Sequence, residues 1–298
     1  MTKFVLALTT LGLFFAFDAC RIDEAVGKEG KSSLLWKVSG NGIQDTSYLY
    51  GTIHIQDKRV FSYGEAVEKA FNKSETIAVE VLMDRIDPSS LMNVMLMEDT
   101  TLDMLLTEEA YAHLEEVYSD ITGAGLETAN RLKPFFLSAN MIQSLLPREM
   151  AVPLDMHFVQ MARDADKEVV GLETLEEQIA IIDELSYTEQ MDMLMQSIED
   201  VDEMKQQFND LVDAYLNMDK EKVMKLMEDP SIPDDFMENL LDKRNKLMTE
   251  RMIPIIKESG TFVAVGAGHL FGEKGLVTML REKGFTVEPV KFAFEIDE

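Results

Sequence analysis

The chain has 298 residues, 46% of them hydrophobic, with 28 basic and 55 acidic side chains that give a formal charge of −27. That length fits one large domain or two small ones, and the apolar share is enough to bury a sizeable core. A surface this acidic repels nucleic-acid phosphates and argues against nucleic acid as a partner, while a single cysteine, Cys20, excludes an intramolecular disulfide framework and a cysteine-based zinc site.

Met1-Thr2-Lys3 followed by the apolar run Phe4 to Phe17 has the basic start and short hydrophobic stretch of a secretory signal. The run is shorter than a confident membrane span. It closes at Phe17-Asp18-Ala19-Cys20, which predicts a lipoprotein signal over residues 1–20 with Cys20 as the lipidated mature N-terminus. Phe17 and Asp18 depart from the small or aliphatic residues usual in such signals. Cleavage after Ala19 without lipid and an uncleaved anchor are the alternatives, and all three send the protein out to the cell envelope. Residues 21–33, charged and glycine-containing, read as a tether to the membrane, leaving 34–298 as one domain.

Leu34 to Val38 reads as a first strand, Asn41-Gly42 as a turn, and Ser47 to Ile55 as a second strand, so a hairpin delivers His54. Ser62 to Asn72 is a short amphipathic helix. Glu75 to Met83 reads as a buried strand, with Ile77, Val79 and Val81 on one face and Ala78, Glu80 and Leu82 on the other. From Pro88 to Asp166 the pattern is helical. Glu108 to Ile121 and Pro134 to Leu146 are the clearest helices, and another opens at Pro153. Lys167 to Glu173 returns to strand character, and Thr174 with Glu177 forms a capping-box pattern at the start of a new helix. Leu175 to Ser259 is amphipathic helix broken near Pro230 and Pro233. The chain closes as strand Thr261 to Val265, helix Gly275 to Lys283 and strand Phe285 to Lys291. An α/β core with a large helical insertion, about 88–166 and 175–259, follows.

Two runs end alike: Ser47 to His54 and Thr261 to His269 are each a β-prone apolar stretch that closes in Gly-x-x-His. Glycine permits left-handed φ and close backbone approach, so each turn can present its histidine at the end of a sheet, where open α/β sheets bind ligands. Neutral imidazole is a common metal ligand, and a carboxylate can complete the set. Glu80 lies in an apolar strand where an unpaired charge is costly, so it needs a cation, donors or a solvated pocket. Satisfied structural histidines are the competing reading of His54 and His269. Glu173, at a strand end before a capped helix, is either a carboxylate bonding backbone N–H groups or a ligand or general base. Asp155 and His157, two apart at a helix start, read as a cap and a surface histidine. His113 lies on an amphipathic helix and reads as a boundary residue. Met191, Met193 and Met195 alternate at a spacing that cannot share a helical face, which favours packing over a metal or haem role. There is no phosphate-loop motif, no Gly-x-Ser-x-Gly elbow and no His-Glu-x-x-His.

The ordered set of motifs resembles the TraB/PrgY/GumN family, which includes the TIKI-type membrane-associated metalloproteases. The matching residues are Gly51-Thr52-Ile53-His54, Glu80 within Ala78-Val79-Glu80-Val81, Gly171-Leu172-Glu173-Thr174 followed by Gln178, and Gly266 to Gly272 with Gly275-Leu276, Arg281 and Gly284-Phe285-Thr286-Val287. The likeness runs from Leu34 to Lys291, loosely through the helical middle. It implies two βα half-repeats forming a central sheet, and a divalent metal (Mn, Co or Zn) held by His54, His269 and Glu80, with Glu80 and Glu173 as the catalytic carboxylates. It further implies Asp155 as a supporting residue, Lys133 and Arg281 as basic groups for a substrate carboxylate, and hydrolysis of a peptide or protein. The family is functionally mixed, so two rivals stay open. One is a haem- or ligand-binding lipoprotein of related fold (the ChaN type), with Tyr48 or Tyr50 beside His54 as an axial group. The other is a non-catalytic module that sequesters a peptide.

Overall fold

The computed structural model describes residues 33–226, 236 and 238–296. The predicted signal, its Cys20 and the tether up to residue 32 lie outside the described residues. The strands are β1 (Leu35–Ser39), β2 (Ser47–Thr52), β3 (Thr76–Val79), β4 (Glu168–Gly171), β5 (Thr261–Gly266) and β6 (Thr286–Pro289). The helices are α1 (Gly64–Lys73), α2 (Pro88–Met95), α3 (Leu102–Leu105), α4 (Glu108–Thr122), α5 (Pro134–Leu145), α6 (Leu154–Asp164), α7 (Leu175–Ile182), α8 (Tyr187–Ser197), α9 (Val201–Leu216), α10 (Lys220–Leu226), α11 (Arg244–Glu258) and α12 (Leu276–Glu282).

The predicted hairpin forms. Gly40, Asn41 and Gly42 all take positive φ in the turn, and β1 pairs antiparallel with β2 from Leu35↔Tyr50 to Val38↔Ser47. All six strands join one mixed sheet in the order β4-β3-β5-β2-β1-β6, in which β4, β3, β5 and β2 run parallel. The last third of the chain therefore threads β5 between two strands of the first third, and the two βα halves interlock in a single sheet.

Alternation along these strands feeds two cores, as a side-chain period of two requires. Ile77, Val79, Phe262 and Ala264 pack on one side, and Ala78, Val263 and Val265 on the other. A third apolar cluster, including Leu114, Leu137, Met141, Met191 and Leu194, holds the helical insertion together. Met191 and Met193 are both buried but belong to different clusters, so packing explains them. His113 is exposed.

Two predicted strands end early for the same reason. The second strand stops at Thr52, whose partner in β5 is Gly266, beyond which β5 turns into a short 3-10 segment. The third stops at Val79, opposite Gly171 at the end of β4. Strand geometry lasts only as long as its neighbours supply partners. The Thr174–Glu177 capping box forms as predicted, with Glu177 N–H to Thr174 Oγ1 at 3.2 Å and Thr174 N–H to Glu177 Oε2 at 2.9 Å. One turn of π-helix, Asn239–Lys243, leads into α11.

Candidate functional site

Because β2, β3, β4 and β5 are parallel, their carboxyl ends lie along one edge of the sheet. His54 follows β2, Glu80 follows β3, Glu173 follows β4 and His269 follows β5, so topology alone carries all four to that edge. Backbone bonds continue the β3–β4 ladder through Leu172 N–H to Val79 O and Glu173 N–H to Glu80 O, both 2.8 Å, which sets the two glutamates side by side.

The glycine of the first Gly-x-x-His is explained by close approach rather than by φ. A Cβ on Gly51 would fall 2.8 Å from Leu270 Cδ1 and 3.0 Å from both Cα and Cβ of Ala267. The two histidine-bearing turns pack directly on each other. Tyr215 Oη, from α9, donates to Gly51 O at 2.8 Å and fixes the first turn from the helical side.

Glu80 is buried but not short of partners. Its Oε1 accepts from Gly266 N–H at 2.7 Å and its Oε2 from Arg244 Nη2 at 2.7 Å. Arg244 also grips Glu173, Nε lying 2.9 and 3.1 Å from its two carboxylate oxygens and Nη2 2.7 Å from Oε2. The guanidinium is thus a wedge between two buried carboxylates. Burial pushes the Glu80 carboxyl up; Arg244 opposes the rise and Glu173 adds to it, leaving it at about 7. Glu173 bonds this arginine rather than the start of α7. Next to it, Gln178 Nε2 lies 3.5 Å from Glu173 Oε2, while Gln178 Oε1 is buried without a partner.

His269 is completely buried. Its Nδ1 lies 2.7 Å from Asn245 Oδ1, and Asn245 Nδ2 is committed to Lys274 O at 3.0 Å. That second bond fixes the amide, so Nδ1 carries the ring proton and Nε2 is a bare lone pair. Burial, then the charge of Arg244, holds the imidazole well below the usual histidine range. Nε2 has no hydrogen-bond partner and lies 3.8 Å from Glu80 Oε1. Two acceptors face each other across a buried gap.

His54 is arranged similarly but is more open, its side chain 25% exposed. Its Nδ1 stands 2.8 Å from Asp155 Oδ1, close but not aligned as a hydrogen bond. Burial lowers its basicity, yet Asp155, with a further contribution from Glu80, outweighs burial and raises it overall. Asp155 therefore faces His54, while its neighbour His157 turns to Tyr63 Oη at 3.2 Å. The structure does not bring every basic residue here. Lys133 is buried at the start of α5, with Nζ 2.5 Å from Asp183 Oδ1. Asp183 lies beyond the far end of α7, about 12–15 Å along it from Glu173. Arg281 lies over the Trp36 ring and donates to Val287 O, away from this edge. Tyr50 is buried in an aromatic cluster with Phe158 and Phe262, its hydroxyl 3.5 Å from that of Tyr215. It is not presented beside His54.

In chemical character the donors suit a divalent cation. An imidazole whose other nitrogen is held by an oxygen acceptor is the arrangement metal-ligating histidines use, and His269 shows it fully. In geometry the fit is incomplete: among the described residues, no three His, Cys, Asp or Glu side chains stand where they could hold one ion together.

Sequence reasoning missed Arg244 and Asn245, and a signal was there. Leu240, Arg244, Met248, Met252 and Ile256 repeat at four-residue spacing on one buried stripe. A lone arginine on such a stripe must be paired.

The TIKI2 metalloprotease of Danio rerio is 24% identical over 94% of this chain and 67% of its own length. TIKI2 of Xenopus tropicalis is 26% identical over 88% of this chain and 60% of its own. The human TIKI1 metalloprotease is 24% identical over 86% of this chain and 62% of its own. The chain thus spans about two thirds, or somewhat less, of these curated relatives. No solved structure matches it. The sequence profile of the TraB/PrgY/gumN family matches residues 34–289, which include every group described at the sheet edge, and the chain belongs to that family.

Proposed function

We propose that this edge is the centre of an exported, lipid-anchored, metal-dependent hydrolase that cleaves peptide bonds. The observation that carries the reading is His269 Nε2, a deprotonated, buried and unpartnered lone pair 3.8 Å from a carboxylate oxygen. An unsatisfied buried polar atom costs about 1–3 kcal/mol, and a cation between the two acceptors removes that cost. His269 and Glu80 would hold the ion, with His54 approaching from the adjacent turn. A bound divalent ion polarises a carbonyl and acidifies water.

The chain's own groups do the rest. With Glu80 committed to the ion, the adjacent Glu173 would take a proton from the attacking water and return it to the departing amine. Arg244 pairs with Glu173 and, through its bond to Glu80, limits the rotation of that carboxylate. Asn245 and Asp155 hold their histidines with Nδ1 turned away from the reacting groups. The relatives' names as metalloproteases support a peptide or protein substrate.

The test is metal content by mass spectrometry on protein lacking residues 1–20, comparing wild type with the His54→Ala/His269→Ala double variant after identical Mn, Co or Zn loading and desalting. Near-stoichiometric metal in wild type, lost in the variant together with cleavage of a mixed peptide library, is expected. Equal metal in both would remove the reading.

A further inference from the structure

The chain enters the domain at the functional edge. β1 runs antiparallel to β2, so its first residues lie beside the last residues of β2: Leu35 pairs with Tyr50, and Leu34 O accepts from Gly51 N–H at 2.8 Å. Gly51 opens the turn that ends at His54, and three residues of chain reach at most about 10 Å. Ser33, just upstream, donates to Val290 O at 2.6 Å, and Val290 N–H bonds Leu35 O at 2.8 Å, so this corner is fixed to the sheet. The opposite edge carries the hairpin turn at Asn41, which donates to Lys283 O at 2.7 Å.

The chain before Ser33 carries the membrane-directed features of the sequence, the apolar run Phe4 to Phe17 and Cys20. Residues 21–32 span at most about 40 Å fully extended, no more than the roughly 45 Å breadth of a domain of this size. A tether of that reach, attached at one edge, holds that edge nearest the bilayer.

We infer that the His54–His269 edge faces the membrane, which restricts its substrates to polypeptide lying at the bilayer surface, such as the membrane-proximal segments of anchored proteins. The inference rests on the hydrolase reading for the word substrate, and the orientation rests on residues 1–20 as the anchor together with where β1 begins. Anionic headgroups are not part of the recognition, given the −27 charge of the chain. The surface is approached through the tether rather than through charge.

The full chain is reconstituted in phosphatidylcholine vesicles that carry a headgroup quencher, with a fluorophore on a cysteine introduced at one of two exposed positions. Ala151→Cys lies at the functional edge, where Gln56 Nε2 bonds the Ala151 carbonyl at 3.0 Å. Gln44→Cys lies in the opposite turn. The wild-type chain, whose one cysteine is Cys20, gives the labelling background. Several-fold stronger quenching at 151 than at 44 is expected. Equal quenching, stronger quenching at 44, or no association of the full chain with the vesicles would each overturn the inference. An acyl-anchored peptide should then be cut faster than the same peptide free in solution. No cleavage of either, with the quenching pattern intact, would remove the hydrolase reading and leave the orientation standing.

Discussion

Replacing Arg244 with methionine isolates the central electrostatic element of this fold. The side chain lies between Glu80 and Glu173, both buried, and donates to each at 2.7 Å. Methionine fills similar space but leaves two carboxylates without a counter-charge. Breaking a buried ion pair by removing one partner costs about 3–5 kcal/mol, a large share of the 5–15 kcal/mol expected for a whole domain. Urea unfolding at pH 7 in EDTA, followed by circular dichroism, reads the loss directly. Two further arms fix the cause. The Arg244→Met/Glu80→Gln/Glu173→Gln variant should recover most of the stability, because no buried charge remains. The single variant should also recover toward pH 5, as protons neutralise the carboxylates in place of the guanidinium. A loss below about 1 kcal/mol, in the range of an exposed pair, or a triple variant no more stable than the single one, would refute the reasoning.

The remaining predictions concern the same edge. Glu80 has a folded-state pKa of about 7 against an ordinary 4.5, so the folded state binds its proton more tightly. Glu80's contribution to stability in EDTA should therefore grow as pH falls from about 8 to 5, by up to about 3 kcal/mol. The buried neutral His269 contributes in the opposite direction below about pH 6.5, so the difference between wild type and Glu80→Gln should isolate the Glu80 part. Asn245→Leu removes the acceptor that sets the His269 tautomer and should weaken metal binding about 10–100-fold by titration calorimetry; unchanged affinity would show that the tautomer is set elsewhere. Gly51→Ala places a methyl group against Ala267 and Leu270 and should cost about 1–3 kcal/mol, measured as a lowered urea midpoint.

The strands, their two-faced alternation and the capping box were legible because each is a local pattern. So was the location of the histidines, since Gly-x-x-His after a β-prone run recurs at both ends of the chain. The order of strands was not legible. Nothing in the sequence of β5 says that it enters between β2 and β3, because its all-buried apolar run fits any central position in a parallel sheet. Arg244 and Asn245 were missed because they sit in a helix whose register with the sheet is set by packing rather than by a motif. The second role of Gly51, giving room to Ala267, was also invisible, since the contact lies between residues far apart in the chain.

That separation governs when the site can exist. Thr261 N–H bonds Ser47 Oγ across 214 positions, and Glu80 depends on a donor from Gly266 and a counter-charge from Arg244. Contacts this distant close late, after most of the loop entropy has been overcome. A growing chain holds its first histidine and both glutamates long before β5 is made, yet none of them can be in working geometry. Assembly of the centre therefore waits for the final segment of the polypeptide, and a chain cut short before β5 would carry the first half of the site with nothing to close it.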